Sequence, residues 1–568
     1  MVQSHLNDRL SLESLPKLKP EDGVSLPTSY SELKSPSSTL LHPEQLEDGS
    51  LRAPNGSVSV YSWENLGMLT HIAAVGTVYG TVSGVIYAVL NNYLHMSTTL
   101  VATATALVTF PRALRLFTGM LTDCVPIFGY RRRPYMILGW LLSFVSCLLM
   151  AAIPLGEPYY GDPALSDIST ADMTAEQLAL INVDAPNHGV KLIILMMIAN
   201  FGTVMAYSGF NGALMDVSQR ESEAKRGTAL GDVFIMHYVF MIVSSFMTGL
   251  GLNGEDYGGT FSWTMGFNAI MWVCAAASLI TIPFSWYCIQ EVKGERAAMP
   301  AFTYLCQLFQ ERAIYRYAAY RFFYNVFAQI TVTASSVIQS DWAKVEPLNS
   351  GIASMVTALL TLGGTYLVKS RGLHWNWRHI VIVCEVSVVC IDAIPTLLTI
   401  WDVYRSQWFW LGVPLVAEVP YAAGEYVSQL FMLEIENTRG FEATLLGLAV
   451  TTESVGTPFA TVLTKTIDGY LDIGRTFIEQ DDHHVRSQVT YAYLIAYALN
   501  LLSMVFVLWL PRQKAEIREM QRQGQKSKFW GILSMIYLAF SLGWTLMTNV
   551  LSLFDSTSCL RIAGGSGC

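Results

Sequence analysis

The chain has 568 residues, of which 52% are hydrophobic and only 14% charged, against about 25% charged in a typical soluble protein. The deficit falls in long apolar blocks, which excludes an ordinary soluble domain and points to repeated membrane spans. A net charge of −9 with no basic, aromatic-laced stripe argues against nucleic acid, and nine scattered cysteines without a CxxC pair indicate neither a zinc site nor a redox motif.

Residues 1–62 contain no apolar h-region and are rich in Ser, Pro and charge, so they read as a disordered cytoplasmic tail without a cleaved signal peptide. Thirteen stretches then approach the roughly 20 apolar residues that a membrane crossing needs. They lie near 66–90, 97–121, 134–154, 190–214, 228–251 and 263–289, then near 316–339, 350–369, 378–400, 408–433, 441–464 and 489–510, with a thirteenth near 530–553. Lys and Arg concentrate in alternate connections, beginning with the N-terminal tail. This bias predicts a cytoplasmic N-terminus and, if the thirteenth span crosses, an outside C-terminus. The expected location is the plasma membrane. The sequon Asn55-Gly-Ser57 falls on the cytoplasmic side and is expected to be unmodified.

The expected organisation is an N-terminal six-helix bundle over 63–290, a cytoplasmic linker over 291–315 and a C-terminal six-helix bundle over 316–511. A basic segment over 512–528, an extra transmembrane helix over 529–554 and a tail over 555–568 follow. Within the linker, Phe302 to Glu311 has the pattern of an amphipathic helix on the inner surface. Cys559 and Cys568 in the last tail either close a small loop or remain two thiols.

Span 1 carries Gly76, Gly80 and Gly84, four apart on one face, which favours close packing of a neighbouring helix. After span 2 comes Gly119-Met-Leu-Thr-Asp123-Cys-Val-Pro-Ile-Phe-Gly129-Tyr-Arg131-Arg132-Arg133-Pro134-Tyr135. A small residue, an acid, a turn glycine and three arginines in so short a connection make a charged hinge between helix ends. A degenerate echo, Gly364, Lys369, Arg371, Gly372 and Arg378, occupies the equivalent connection of the second half. The loop 155–189 is acidic, and Asp481-Asp482-His483-His484 reads as a solvated loop. No metal or cofactor is expected.

Charged groups inside a membrane are costly and usually face a partner or a water-filled cavity. The first half carries His71, Arg112, Arg115, Asp232 and His237; the second carries Arg321, Glu385, Asp392, Glu418, Glu425 and Glu453. Taken together they predict a polar cavity between the halves. Arg112 and Arg115 suit a substrate carboxylate, which guanidinium binds in bidentate fashion. Glu418, Glu425 and Tyr79 join them as candidate substrate-binding residues. Asp392, Glu425 and Glu453 are the candidates for carrying protons.

Six spans plus six around a cytoplasmic link is the plan of the major facilitator superfamily, whose two bundles rock about a site near the bilayer midplane. The stretch from Asp123 to Tyr135, preceded by Pro111, Arg115 and Gly119, resembles the loop between spans 2 and 3 of the folate–biopterin transporter family of that superfamily. Asp216, Glu221 and Arg226-Gly227 resemble its second motif; the family often has an acid four residues before the aspartate, where this chain has Gly212. The long loop and the thirteenth span are similar to elaborations of oomycete members.

The resemblance implies an all-α polytopic membrane protein with the major facilitator fold, two six-helix bundles and a thirteenth C-terminal helix. It implies a monomeric secondary transporter of folates, pterins or S-adenosylmethionine, working by alternating access and coupled to protons. Gating falls to Asp123, Gly129, Arg131, Arg132, Arg133, Asp216, Glu221 and Arg226. The alternatives are a sugar–cation symporter of the sucrose type and a non-transporting membrane receptor. An enzyme is not expected, since the chain has no HExxH, GxSxG or Walker lysine motif.

Overall fold

The computed structural model describes residues 50–52, 59–96, 98–167, 173–291, 293, 300–345, 347–435, 440–551, 557 and 560. The sequon, Cys559, Cys568 and most of the N-terminal tail lie outside the described residues. Helix follows helix throughout, and the described residues include no strand beyond isolated bridges. An apolar solvent leaves backbone polar groups no partner but each other, which long helices satisfy internally.

The first group of helices comprises α1 (Leu66–Ile86), α2 (Thr98–Thr109), α3 (Arg115–Cys124), α4 (Arg133–Ala152), α5 (Ala185–Gln219), α6 (Thr228–Gly251) and α7 (Gly266–Tyr287). A connecting helix α8 (Ala301–Gln310) coincides with the amphipathic stretch read from the sequence. The second group comprises α9 (Arg312–Ala328), α10 (Pro347–Leu367), α11 (Trp377–Ile400), α12 (Gln407–Leu415), α13 (Glu418–Glu434), α14 (Glu442–Ser454), α15 (Thr457–Asp468) and α16 (His483–Leu502). The chain ends with α17 (Lys514–Arg522) and α18 (Lys528–Leu551).

Nine helices among the described residues are long and apolar enough to cross a membrane, the thirteenth candidate included. The other four expected crossings differ for physical reasons. Three are interrupted beside proline, which lacks the N–H that continues a helix. The second crossing breaks between α2 and α3 in a 3-10 turn, Phe110–Leu114, that holds Pro111. The tenth breaks between α12 and α13 just after Pro414, and the eleventh between α14 and α15 just before Pro458. The seventh, α9, is simply short, at 17 residues.

Close backbone approach sets the packing. A Cβ on Gly76, Gly80 or Gly84 would lie within 3 Å of α6 atoms, so the glycine stripe of α1 serves packing against α6. A Cβ on Gly139 of α4 would meet the Gly202 carbonyl of α5 at 2.4 Å. The two groups join where α3 crosses α14 and where α6 packs along α10. Helix α18 lies on α8 and α9, and its Trp544 stacks on Phe459 of α15 at 5.5 Å.

Candidate functional site

The three helix breaks each carry charge. Arg112 lies in the turn between α2 and α3, and Arg115 begins α3. Glu418 begins α13, and Glu453 sits one residue before the end of α14. Two of these, Arg112 and Glu453, meet Arg321 and Glu425 between the two helix groups. Arg321 of α9 reaches Glu425 of α13 at 3.1 Å and Glu453 at 2.5 Å. Glu453 also faces Arg112 at 3.9 Å, and Arg112 donates to the Tyr79 hydroxyl at 3.4 Å. Arg321 is 1% exposed, whereas Arg112 is 38%, Glu425 31% and Glu453 24% exposed. Groups pairing across the middle of the bundle keep that exposure only beside open space.

Arg115 differs from its neighbours. Its guanidinium stacks over the Tyr207 ring at 4.3 Å, a cation–π arrangement. Among the described residues it has no carboxylate within ion-pair distance. The cluster therefore holds three guanidiniums, Arg112, Arg115 and Arg321, against two carboxylates, Glu425 and Glu453. Among the described residues, the Glu418 carboxylate accepts from the Thr361 hydroxyl alone, at 3.4 Å. Glu385 and Asp392 on α11 stand apart from the cluster, on Tyr324 at 2.6 Å and Tyr497 at 2.7 Å. His71 accepts from Trp140 at 3.0 Å and stacks on Phe210 inside the first group.

A second assembly closes one face of the molecule, the face that carries the turn 125–132 and the ends of α5, α13 and α17. Asp123 Oδ2 accepts from the Thr444 backbone N–H at 2.7 Å and from its hydroxyl at 2.9 Å. Thr444 is in the first turn of α14, so the carboxylate caps that helix and meets the positive end of its dipole. Just deeper, Thr451 of α14 accepts from Leu116 N–H at 2.9 Å and donates to the Ala113 carbonyl at 3.0 Å. It thereby satisfies backbone groups freed by the break in the second crossing. A Cβ on Gly119 would meet the Ala443 carbonyl at 2.5 Å, and one on Gly447 the Arg115 carbonyl at 2.4 Å.

The arginine run works through backbone and side chain together. Gly129 takes φ +82° to turn the chain, a conformation glycine adopts without strain. The N–H groups of Arg131, Arg132 and Arg133 donate to the Glu291 carboxylate at 2.6, 2.8 and 3.1 Å, which caps α4. Arg132 reaches across to Glu442 of α14 at 3.0 Å. Arg133 donates to the Ile289 carbonyl and lies over the Tyr130 ring.

The second motif forms the adjoining part of the closure. Arg226, wholly buried, pairs with Glu434 of α13 at 2.6 Å. Lys514 of α17 also pairs with Glu434, at 3.1 Å, and donates to the carbonyls of Glu223 and Arg226. Glu221 accepts from Gly227 and Ala229 N–H at 2.9 Å each, capping α6. Burial pushes its carboxyl up to about 7, against the pull of those two amides. Glu223 is held below the usual carboxylate range by its hydrogen bond from Arg518. Asp232 pairs with Lys369 of the degenerate echo and accepts from Tyr61. Asp216 pairs with Arg220 one turn away and with Arg52 at 2.5 Å.

Solved structures of the proton:xylose symporter XylE match most of this chain. The form bound to 6-bromo-6-deoxy-D-glucose gives a TM-score of 0.53 at 11% identity, covering 82% of this chain and all of that one. A partially occluded inward open form from E. coli gives 0.52 at 13% identity, covering 80% and 98%. A double Trp mutant gives 0.55 at 12%, covering 81% and 98%. The chain has the major facilitator fold.

The chain is a multi-pass membrane protein. Its residues 76–173, from span 1 through the charged turn into the following loop, match the model of the BT1 family. No curated protein matches the sequence significantly. The structure also brings in residues that the sequence did not single out. Glu291, Glu434 and Glu442 complete the closed face, and Thr444, Thr451 and Tyr207 carry cross-bundle or ring contacts. The one local signal is that Glu291, Glu434 and Glu442 are acids within two residues of a predicted span end.

Proposed function

We propose that this protein is a secondary transporter of small organic molecules that carry an anionic group and a flat ring, of the folate or pterin type. Its two bundles expose the central cluster alternately to the two sides of the membrane. The observation that carries this reading is Arg115, a guanidinium stacked on Tyr207, facing the cluster's open space with no carboxylate of its own. The cluster is one negative charge short, and a bound anion supplies it. Tyr79 and Tyr207 offer aromatic surface for the ring. S-adenosylmethionine carries a carboxylate beside an ammonium and a sulfonium; its carboxylate would use the same site while Glu418 faces the sulfonium.

The closed face works as the inner gate. Asp123, Arg132, Asp216, Glu221 and Arg226 hold it, with Gly129 and the amides of Arg131 and Arg133 shaping the turn. The density of positive charge on that side makes it cytoplasmic, so the N-terminus is inside, α18 leads outside, and the form described faces outward. The protein acts as a monomer in the plasma membrane. Proton coupling runs through the pair of acids on Arg321. A proton on Glu425 or Glu453 removes one of its two counter-charges and frees guanidinium capacity for the incoming anion. The resemblance to folate–biopterin transporters and the match over 76–173 support this reading.

The test is uptake of radiolabelled folate, biopterin, S-adenosylmethionine and sucrose by purified protein in liposomes, with and without a pH gradient. The reading expects folate or pterin uptake that an inward proton gradient accelerates. Sucrose uptake without pterin uptake would replace it with a sugar–cation symporter, and uptake of none, with binding retained, with a receptor.

A further inference from the structure

One short segment ahead of α1 is packed inside the closed face rather than lying over it. Ser50, Leu51 and Arg52 are 1%, 8% and 9% exposed. The backbone N–H groups of Leu51 and Arg52 both donate to the Gln219 carbonyl, at 3.0 and 3.1 Å. The Gln219 side chain in turn donates to the Ile435 carbonyl of the second group at 3.1 Å. Arg52 spreads its guanidinium across the seam: Nη1 donates to Asp216 of α5 at 2.5 Å and Nη2 to Glu442 of α14 at 2.8 Å.

Neither acid depends on Arg52 for neutralisation. Asp216 also has Arg220, and Glu442 also has Arg132. Removing Arg52 therefore leaves no buried carboxylate without a cation, the situation that makes loss of an ion-pair partner severely destabilising. What it removes is a link between the two helix groups. The planar fork of arginine can satisfy both acids at once, which a single ammonium cannot do as well. The two groups cannot part at this face unless Arg52 gives up at least one of its acids.

We propose that Ser50–Arg52 is a withdrawable key of this face, with Arg52 as a positioning residue that biases the protein toward the form closed here. The inference rests on the reading of this face as a gate that parts. Anything that draws the N-terminal segment away, whether a partner protein or added negative charge, would then raise the population open on this side without touching the central cluster.

The test uses the full chain with its native cysteines replaced by serine, purified and reconstituted, with spin labels at Ala224→Cys and His374→Cys, exposed positions on the two sides of the seam. The unmodified chain is expected to show mainly the short distance. Arg52→Gln should raise the longer-distance population about tenfold or more, the size of one or two charge-assisted hydrogen bonds. Arg52→Lys should give a smaller rise in the same direction. Asp123→Asn is the control for the gate itself. If Asp123→Asn lengthens the distance and neither Arg52 variant does, the key is refuted while the gate stands. If no variant lengthens it, the gate reading fails and takes the key with it. Should Arg52→Gln give no folded protein, Arg52→Lys decides alone, a distribution like that of the unmodified chain overturning the proposal.

Discussion

Asp123 and Thr444, 321 residues apart in the chain, meet where a carboxylate of one helix group caps the first turn of a helix in the other. The contact joins a charge to a helix end, not a charge to a charge. It is therefore strong only when α14 stands in register beneath α3, and it is lost as a unit when the groups separate. Asp123→Asn keeps one acceptor oxygen but removes the charge at the helix end, a loss of about 1 kcal/mol or more. Uptake should fall several-fold while surface expression and thermal stability stay close to the unmodified protein. Normal uptake by this variant would remove Asp123 from gating.

The crossing of α3 and α14 leaves no room for a side chain. A methyl at Gly447 would overlap the Arg115 carbonyl, and backbone cannot yield as a flexible side chain can. Gly447→Ala is expected to force the groups apart at this face at a cost of about 1–3 kcal/mol. The readout is faster modification of cysteines introduced on this face. Unchanged modification together with unchanged melting would show that the crossing is looser than described.

Arg115 separates function from stability. A cation stacked on Tyr207 without a carboxylate contributes little to the fold, so Arg115→Gln should leave the melting temperature unchanged or raise it. Uptake of an anionic substrate should fall about tenfold or more, chiefly through KM. Arg321→Gln is the contrasting case. It leaves Glu425 and Glu453 without their shared guanidinium and should destabilise by about 3 kcal/mol or more. Equal melting behaviour in the two variants would contradict the assignment.

Glu221 gives stability a pH dependence of known sign. A carboxyl raised to about 7 in the folded protein binds its proton more tightly there than in the unfolded chain. Its stabilising contribution is thus present below the usual carboxylate range and is lost as pH rises toward about 7. The change amounts to about 3 kcal/mol at most. Melting curves from pH 4.5 to 8 should show a declining component that Glu221→Gln abolishes; an identical profile in that variant would refute it.

Much of this was legible in composition and spacing. Apolar blocks gave the helices, and the cost of charge in lipid drew attention to Arg112, Arg321, Glu425 and Glu453, which the structure brings together. The breaks were also written in the chain, since Pro111, Pro414 and Pro458 stand beside them. Pro111 was read only for its place in the family motif and not as a break, because a proline in a membrane span ordinarily only kinks it. Less legible were the partners. Glu291, Glu434 and Glu442 meet arginines 158, 208 and 390 residues away, and such distant pairing is set by how the bundles dock, not by any local pattern. The arginine run illustrates the limit. Its charge announced a hinge, yet its three backbone amides do as much as its guanidiniums, through an acid on another helix end. Arg52 lay in a stretch whose composition reads as disordered, and only its docking between Asp216 and Glu442 sets it apart.

The claim on which the account stands is that the charged cluster is a wet site reached from one side at a time. It is tested by placing Tyr79→Cys beside Arg112, with the other cysteines replaced by serine, in vesicles of known orientation. A membrane-impermeant thiol reagent is then applied from each side. The account predicts labelling from the side of the 153–184 loop in the resting protein, and a shift toward labelling from the opposite side when Asp123→Asn is added. Labelling from neither side, or equally from both in the resting protein, would contradict it.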